Sequence, residues 1–244
     1  MIDTHAHLDA LDDPAAAISR ARAAGVERIV AIGSGLASTR ATLAIAEQAE
    51  GVSVAAGVHP HQAADGESVD ELAALVARAA VAIGEIGLDF YRDYAPRDDQ
   101  RRAFVEQLGL AADLGKPVII HTRAAEEETA ALLEGFDGTV VMHCFSSPAL
   151  LPVALERGYY VSFAGNVTYP KAVELREAAA KIPANRILAE TDCPYLAPQP
   201  VRGKRNEPAY VVHTIASLAE TRGEDASELG RRIDENAATA FGLS

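Results

Sequence analysis

Short, nearly continuous apolar runs alternate with alanine-rich segments of helical period along the whole chain. The runs Ile2–His7, Arg28–Ile32, Val52–Val58, Ala82–Glu85, Pro117–His121, Thr139–His143, Tyr159–Phe163 and Arg186–Glu190 read as strands. Several lack polar alternation, the pattern of strands covered on both faces. Helix-like stretches fall between them near 13–24, 38–49, 67–79, 98–115, 124–134, 148–157 and 171–180. A last pair lies near 207–222 and 224–240. No Gly/Ser linker or low-complexity tract divides the series, so residues 1–244 read as one domain. Eight strands alternating with helices in roughly 250 residues predict a single parallel (β/α)8 TIM barrel. A doubly wound open sheet is the alternative, because periodicity cannot separate a closed sheet from an open one.

The polar exceptions favour closure. His5 and His7 end the first run, and His59 and His61 follow the third. Glu85, His121 and His143 end the fourth, fifth and sixth, and Asp192 follows the eighth. In a parallel barrel these ends converge on one face, where active sites lie. Residues i and i+2 of a strand share a side, so His5 and His7 both face the interior if either does. Two inward imidazoles form a chelating pair or a pair of hydrogen-bonded interior histidines. Glu85 closes an apolar run, and a carboxylate there is costly unless paired with a cation. Either Arg123 or metal could supply that charge, and two oxygens could bridge two cations. His121 and His143 together would form a second site. Asp192 is either a turn residue before Pro194 or a neighbour of His5 and His7 across the barrel seam.

Composition narrows the function. The formal net charge is −13, which counts against broad non-specific nucleic-acid binding. Trp is absent and aromatics make up 5 %, so no extended base-stacking platform is expected. Cys144 and Cys193 are too few for a disulfide framework. Cys144 is expected to face away from the interior, one position past His143. No run of eighteen apolar residues exists, and the N-terminus does not read as a signal peptide, so a cytoplasmic protein without membrane contact is expected. Against the acidic background, Arg202, Lys204 and Arg205 crowd into "PVRGKRNEP" just after the last strand, and Arg123 follows His121 by two. These cations could meet substrate phosphates, or merely line a solvated surface.

The segments "IDTHAHLD", "GVHPH", "AIGEIGLDF", "PVIIHTR", "VMHCFS", "ILAETDCPYL" and "RGKRNEPAYV" occur in order. They closely resemble the TatD family of metal-dependent hydrolases, within the amidohydrolase-like superfamily. The resemblance runs from residue 2 to about residue 241. It implies a TIM barrel and a deoxyribonuclease that removes nucleotides from 3′ ends. It further implies one divalent cation held by His5, His7, Glu85 and Asp192, and another held by Glu85, His121 and His143. His59, His61 and Glu190 could serve a third cation or the substrate. A mixed imidazole and carboxylate set suits Zn²⁺, Mn²⁺, Fe²⁺ or Co²⁺ better than Mg²⁺, whereas the resemblance implies Mg²⁺ as the common metal. Related amidohydrolases often bridge their metals with a carboxylated lysine, but none of Lys116, Lys171, Lys181 and Lys204 falls at a strand end, which leaves the bridge to Glu85. Ser147 departs from the glycine common after "HCFS" in the family.

The resulting expectation is a two-metal-activated water attacking a phosphodiester, with Asp192 as general base. Glu85 shares the catalytic role through the metals. The expected partner is DNA, as single strands or 3′ ends, with RNA as a further substrate and no obligate protein partner. The alternative is D-aminoacyl-tRNA deacylation or hydrolysis of a small amide at the same centre.

Overall fold

The computed structural model describes residues 1–67, 69–92 and 94–243. Eight strands form one parallel sheet in the order of the chain: β1 (Ile2–Ala6), β2 (Arg28–Ser34), β3 (Val52–Gly57), β4 (Ala80–Asp89), β5 (Val118–Arg123), β6 (Val140–Met142), β7 (Tyr160–Phe163) and β8 (Ile187–Ala189). The ring closes just past β8. Ala6 pairs in parallel with Cys193. The Asp192 amide donates to the His5 carbonyl at 2.9 Å and the His7 amide to the Cys193 carbonyl at 2.9 Å. A closed (β/α)8 barrel therefore replaces the open-sheet alternative.

The helices wrap the outside: α1 (Pro14–Ala23), α2 (Gly35–Glu47), α3 (Val69–Ala79), α4 (Arg97–Leu114), α5 (Glu126–Leu132), α6 (Leu151–Glu156), α7 (Val173–Lys181), α8 (Val211–Arg222) and α9 (Ala226–Phe241). Local chemistry sets several ends. Asp13 accepts from the Ala16 amide at the start of α1, and Asp225 accepts from the Ser227 and Glu228 amides at the start of α9. Gly115, Gly223 and Gly242 end α4, α8 and α9 in the left-handed conformation. The core lies in two layers. Ile32, Ile83, Ile119 and Phe163 are among the fully buried side chains of the strands, and Leu72, Phe104, Leu218 and Ile233 are buried from the helices. No helix among the described residues is long and apolar enough to cross a membrane.

Strand β4 departs from the expected span, continuing to Asp89 rather than ending at Glu85. Its pairing with β5 slips by one residue: Gly84 faces Ile119, and Ile86 faces Ile120. Glu85 is the extra residue of this bulge, left without a partner on β5, and such bulges re-aim a side chain. Glycines make the packing possible. At Gly84 (φ 157°) a Cβ would lie 2.6 Å from the Ile119 Cβ, and at Gly87 (φ 139°) it would lie 2.0 Å from the His121 carbonyl oxygen.

Candidate metal centre

The strand ends bring His5, His7, Glu85, His121, His143 and Asp192 into one cluster, with His59 and His61 at its edge. Glu85 lies at the centre, and its two oxygens face different groups. Oε2 lies 3.4 Å from His5 Nε2 and 3.7 Å from His7 Nε2. Oε1 lies 2.7 Å from His121 Nδ1, 3.1 Å from His143 Nε2 and 3.3 Å from His59 Nε2. Asp192 Oδ1 lies 3.5 Å from His7 Nε2 and 3.9 Å from His5 Nε2. The His5 ring stacks on His143 with centroids 3.7 Å apart. Arg123 is not the partner of Glu85; its guanidinium lies over the Tyr91 ring, 4.0 Å from the centroid. The seventh histidine, His213, is on α8.

Two further carboxylates orient these imidazoles. Glu190 Oε1 lies 2.7 Å from His143 Nδ1 and accepts from the Cys144 amide at 2.9 Å. Asp89 Oδ2 lies 2.8 Å from His61 Nε2 and 3.3 Å from His121 Nε2. Asp89 Oδ1 accepts from the Tyr91 and Arg92 amides at 3.0 and 2.9 Å. A carboxylate on the far nitrogen fixes the tautomer and direction of a ligating histidine. Sequence reasoning missed Asp89; it lies four residues past the expected end of the strand, in an extension that the bulge conceals.

Other missed residues hold the frame. Gln100 and Gln107 are buried polar residues on one face of α4. Gln107 accepts from the Val58 amide at 2.6 Å and donates back to its carbonyl at 3.1 Å. Gln100 clamps Asp89 in the same way, at 2.8 and 3.1 Å. Asp3 closes the seam: it accepts from the Thr191 amide at 2.8 Å and the Thr191 hydroxyl at 2.5 Å. Burial pushes the Asp3 carboxyl up to about 8, against those bonds. The available signal was a run of polar residues at buried helix and strand positions.

The chemistry of the donor set fits divalent cations. Glu85, Asp89 and Glu190 are buried, yet among the described residues no arginine or lysine forms an ion pair with them or with Asp192. Burial would raise the Glu85 carboxyl, but His143, His59 and His121 outweigh it and hold it well below the usual carboxylate range. Burial, joined by His143, lowers His5 to about 3, and burial lowers His59 to about 4. Both imidazoles are then neutral and can lend a lone pair. Candidate ligand atoms within 4.8 Å of one another include those of His5, His7 and Glu85, of Glu85, His121 and His143, and of His59, His61 and His121.

Cys144 corrects an expectation. β6 ends at Met142, and Cys144 takes a left-handed φ of 43°, so strand alternation no longer governs it. Its sulfur lies within 4.8 Å of ligand atoms on His143 and Glu190. Burial, with Asp192 and Glu190 nearby, holds the thiol well above its ordinary range. The basic loop also lies beside the centre. Buried Asn206 donates to the Thr191 carbonyl at 2.8 Å and ties the loop to the turn that carries Asp192. Arg205 pairs with Asp12 at 2.7 Å, Arg202 lies over the Tyr169 ring at 4.1 Å, and Lys204 is exposed. Ser147 donates its hydroxyl to Glu126 Oε1 at 2.8 Å.

A parallel barrel with imidazoles and carboxylates converging at its strand ends defines the barrel class of metal-dependent hydrolases. The family model described as TatD related DNase matches residues 2–242, and the chain belongs to the TatD family. The 3′-5′ ssDNA/RNA exonuclease TatD of Escherichia coli (strain K12) is 40 % identical over 235 residues, covering 91 % of this chain and 90 % of that one. The uncharacterized metal-dependent hydrolase YabD of Bacillus subtilis is 38 % identical over 255 residues, all of both chains. Among solved structures, the TatD homolog YJJV from Escherichia coli matches with a TM-score of 0.91 at 32 % identity, covering 100 % of this chain and 98 % of that one.

Proposed function

We propose that this hydrolase cleaves phosphodiesters of single-stranded nucleic acid, removing nucleotides from the 3′ end. The carrying observation is the division of Glu85, whose two oxygens face separate histidine groups. His5, His7, Glu85 and Asp192 would hold one cation, and Glu85, His121 and His143 the other. Bound there, divalent cations supply an activated water and neutralise charge on the phosphoryl oxygens. Asp192 would accept the proton of that water. Its side chain is 13 % exposed, against 3 % for Glu85, so it is the carboxylate of the pair that solvent reaches. Glu190 and Asp89 keep His143 and His121 turned toward Glu85. Arg123, Arg202, Lys204 and Arg205, with His59 and His61, would orient the strand's backbone. The substrate class draws support from the 40 % identity with the ssDNA/RNA exonuclease.

The test sets 5′-labelled single-stranded DNA, single-stranded RNA and D-aminoacyl-tRNA side by side, each with Mg²⁺ or Mn²⁺. A ladder shortening from the 3′ end, abolished by a chelator, is the expected result. Intact oligonucleotides together with ester hydrolysis of the aminoacyl-tRNA would overturn the nuclease reading in favour of acyl transfer to water.

A further inference from the structure

Tyr91, Tyr94 and Tyr195 are exposed by 65 %, 63 % and 59 %. All three stand on loops leaving the carboxyl ends of β4 and β8. In an eight-stranded ring with the strands in chain order, β4 and β8 are diametrically opposite. Few aromatics occur in the chain, yet its most exposed rings flank the metal centre from two sides. The Tyr94 ring stands edge-on to His61 with centroids 4.8 Å apart, and the Tyr195 ring edge-on to His7 at 6.0 Å.

Each ring stands on a turn that starts at a carboxylate-bearing residue of the cluster. The Tyr195 amide donates to the Asp192 carbonyl at 2.9 Å, and Asn206 holds the Tyr195 carbonyl. The turn bearing Tyr94 begins at Asp89, whose Oδ1 accepts from the Tyr91 and Arg92 amides. Arg92 then donates to the Tyr94 hydroxyl at 3.3 Å. Two other rings at the mouth already carry a guanidinium on one face: Arg123 lies over Tyr91 at 4.0 Å and Arg202 over Tyr169 at 4.1 Å, although Tyr91 stays 65 % exposed. Tyr94 and Tyr195 keep most of their aromatic surface in water, and among the described residues no guanidinium lies closer than 5.9 Å to the Tyr94 centroid, so each has a ring face to offer beside the centre.

We propose that Tyr94 and Tyr195 are stacking positions for the unpaired nucleobases on the two sides of the scissile phosphate. This rests on the nuclease reading above and adds to it a basis for selecting single strands. Every base has a π-face, so stacking tolerates any sequence. Bases inside a duplex have both faces occupied by their neighbours and have no face to offer.

The experiment compares a single-stranded oligothymidylate with a strand of equal length whose last two 3′ nucleotides are abasic. The wild type should prefer the base-bearing strand, mainly through KM. Tyr94→Ala and Tyr195→Ala should each cut that preference roughly 10-fold, the scale of losing one base–aromatic stack, and the Phe variants should restore it. Both residues are exposed, and thermal melting of each variant checks that it folds. A wild type that cleaves the oligothymidylate, with the preference kept in both Ala variants, would overturn the stacking role and leave the nuclease reading standing. A wild type that cleaves neither strand yet hydrolyses an aminoacyl ester would overturn both.

Discussion

Asp192 and Glu85 sit in the same cluster but face different surroundings, and their substitutions should separate cleanly. Glu85 is sealed among five imidazoles, and each oxygen has its own set. Asp192 reaches two of those imidazoles from the turn past β8 and retains contact with solvent. Glu85→Gln keeps the shape but removes the charge that both groups share. Metal analysis should then show fewer than the two ions per chain that a two-cation centre binds at saturation. Asp192→Asn would remove the proposed proton acceptor while leaving the proposed Glu85 bridge intact. Turnover on single-stranded DNA should fall by at least ~10², with metal content less affected than in Glu85→Gln. Near-normal turnover in Asp192→Asn at saturating metal would move the base to another group. A full metal complement in Glu85→Gln would remove its bridging role.

At the scale of elements, β4 makes the centre possible, and its glycines are the point of failure. Gly87→Ala would force a Cβ to 2.0 Å from the His121 carbonyl oxygen at a φ of 139°. The backbone cost alone is roughly 1–3 kcal/mol, and the clash adds to it by pushing β5 and His121 outward. Gly109 lies in α4, where an added Cβ meets nothing within 4 Å. Gly109→Ala should stabilise by roughly 0.5–1 kcal/mol, because alanine loses less backbone entropy in a helix. Denaturant midpoints of the two variants should therefore move in opposite directions; a neutral Gly87→Ala would mean that β4 can shift without cost. The same strand marks the limit of what sequence makes legible. His121 and His143 stood out because each follows a short apolar run, and His5 because it stands two residues from His7, the spacing that puts both on one side of a strand. The bulge at Glu85 depends on register against β5, which no local pattern encodes. Asp89, Gln100 and Gln107 act through partners eleven or more residues away. Helix α2 begins at Gly35 rather than near 38 because Glu67, on a distant loop, accepts from the Leu36 amide at 2.9 Å. Hydrophobic period thus carried the barrel and the strand ends, while long-range polar contacts carried the rest.

At the scale of the whole molecule, a net charge of −13 must be reconciled with the polyanionic substrate proposed above. An acidic surface repels a strand over most approaches, while cations at one mouth make that mouth the favoured encounter. Arg202, Lys204 and Arg205 lie at that mouth, but they are not equally free. Arg205 is paired with Asp12, and Arg202 is laid over Tyr169. A phosphate must compete with Asp12 for Arg205, and the exposed ion pair is weak enough to yield. Replacing all three cations by Ala should raise KM for oligonucleotides, since backbone contacts position the strand. Each lost contact to a single strand should flatten the log–log dependence of affinity on salt by roughly 0.7. Asp12→Ala supplies the opposite sign: it removes the competing carboxylate from Arg205, whose other terminal nitrogen donates to the Ala10 carbonyl, without touching the metal centre. Affinity for a single-stranded oligonucleotide, measured across a salt series, should then rise at low salt and depend on salt at least as steeply as in the wild type. An Asp12→Ala protein that binds no better, beside a triple variant with an unchanged salt slope, would make the loop an ordinary solvated surface. Attraction to the strand would then rest on Arg123 and the cations of the centre itself.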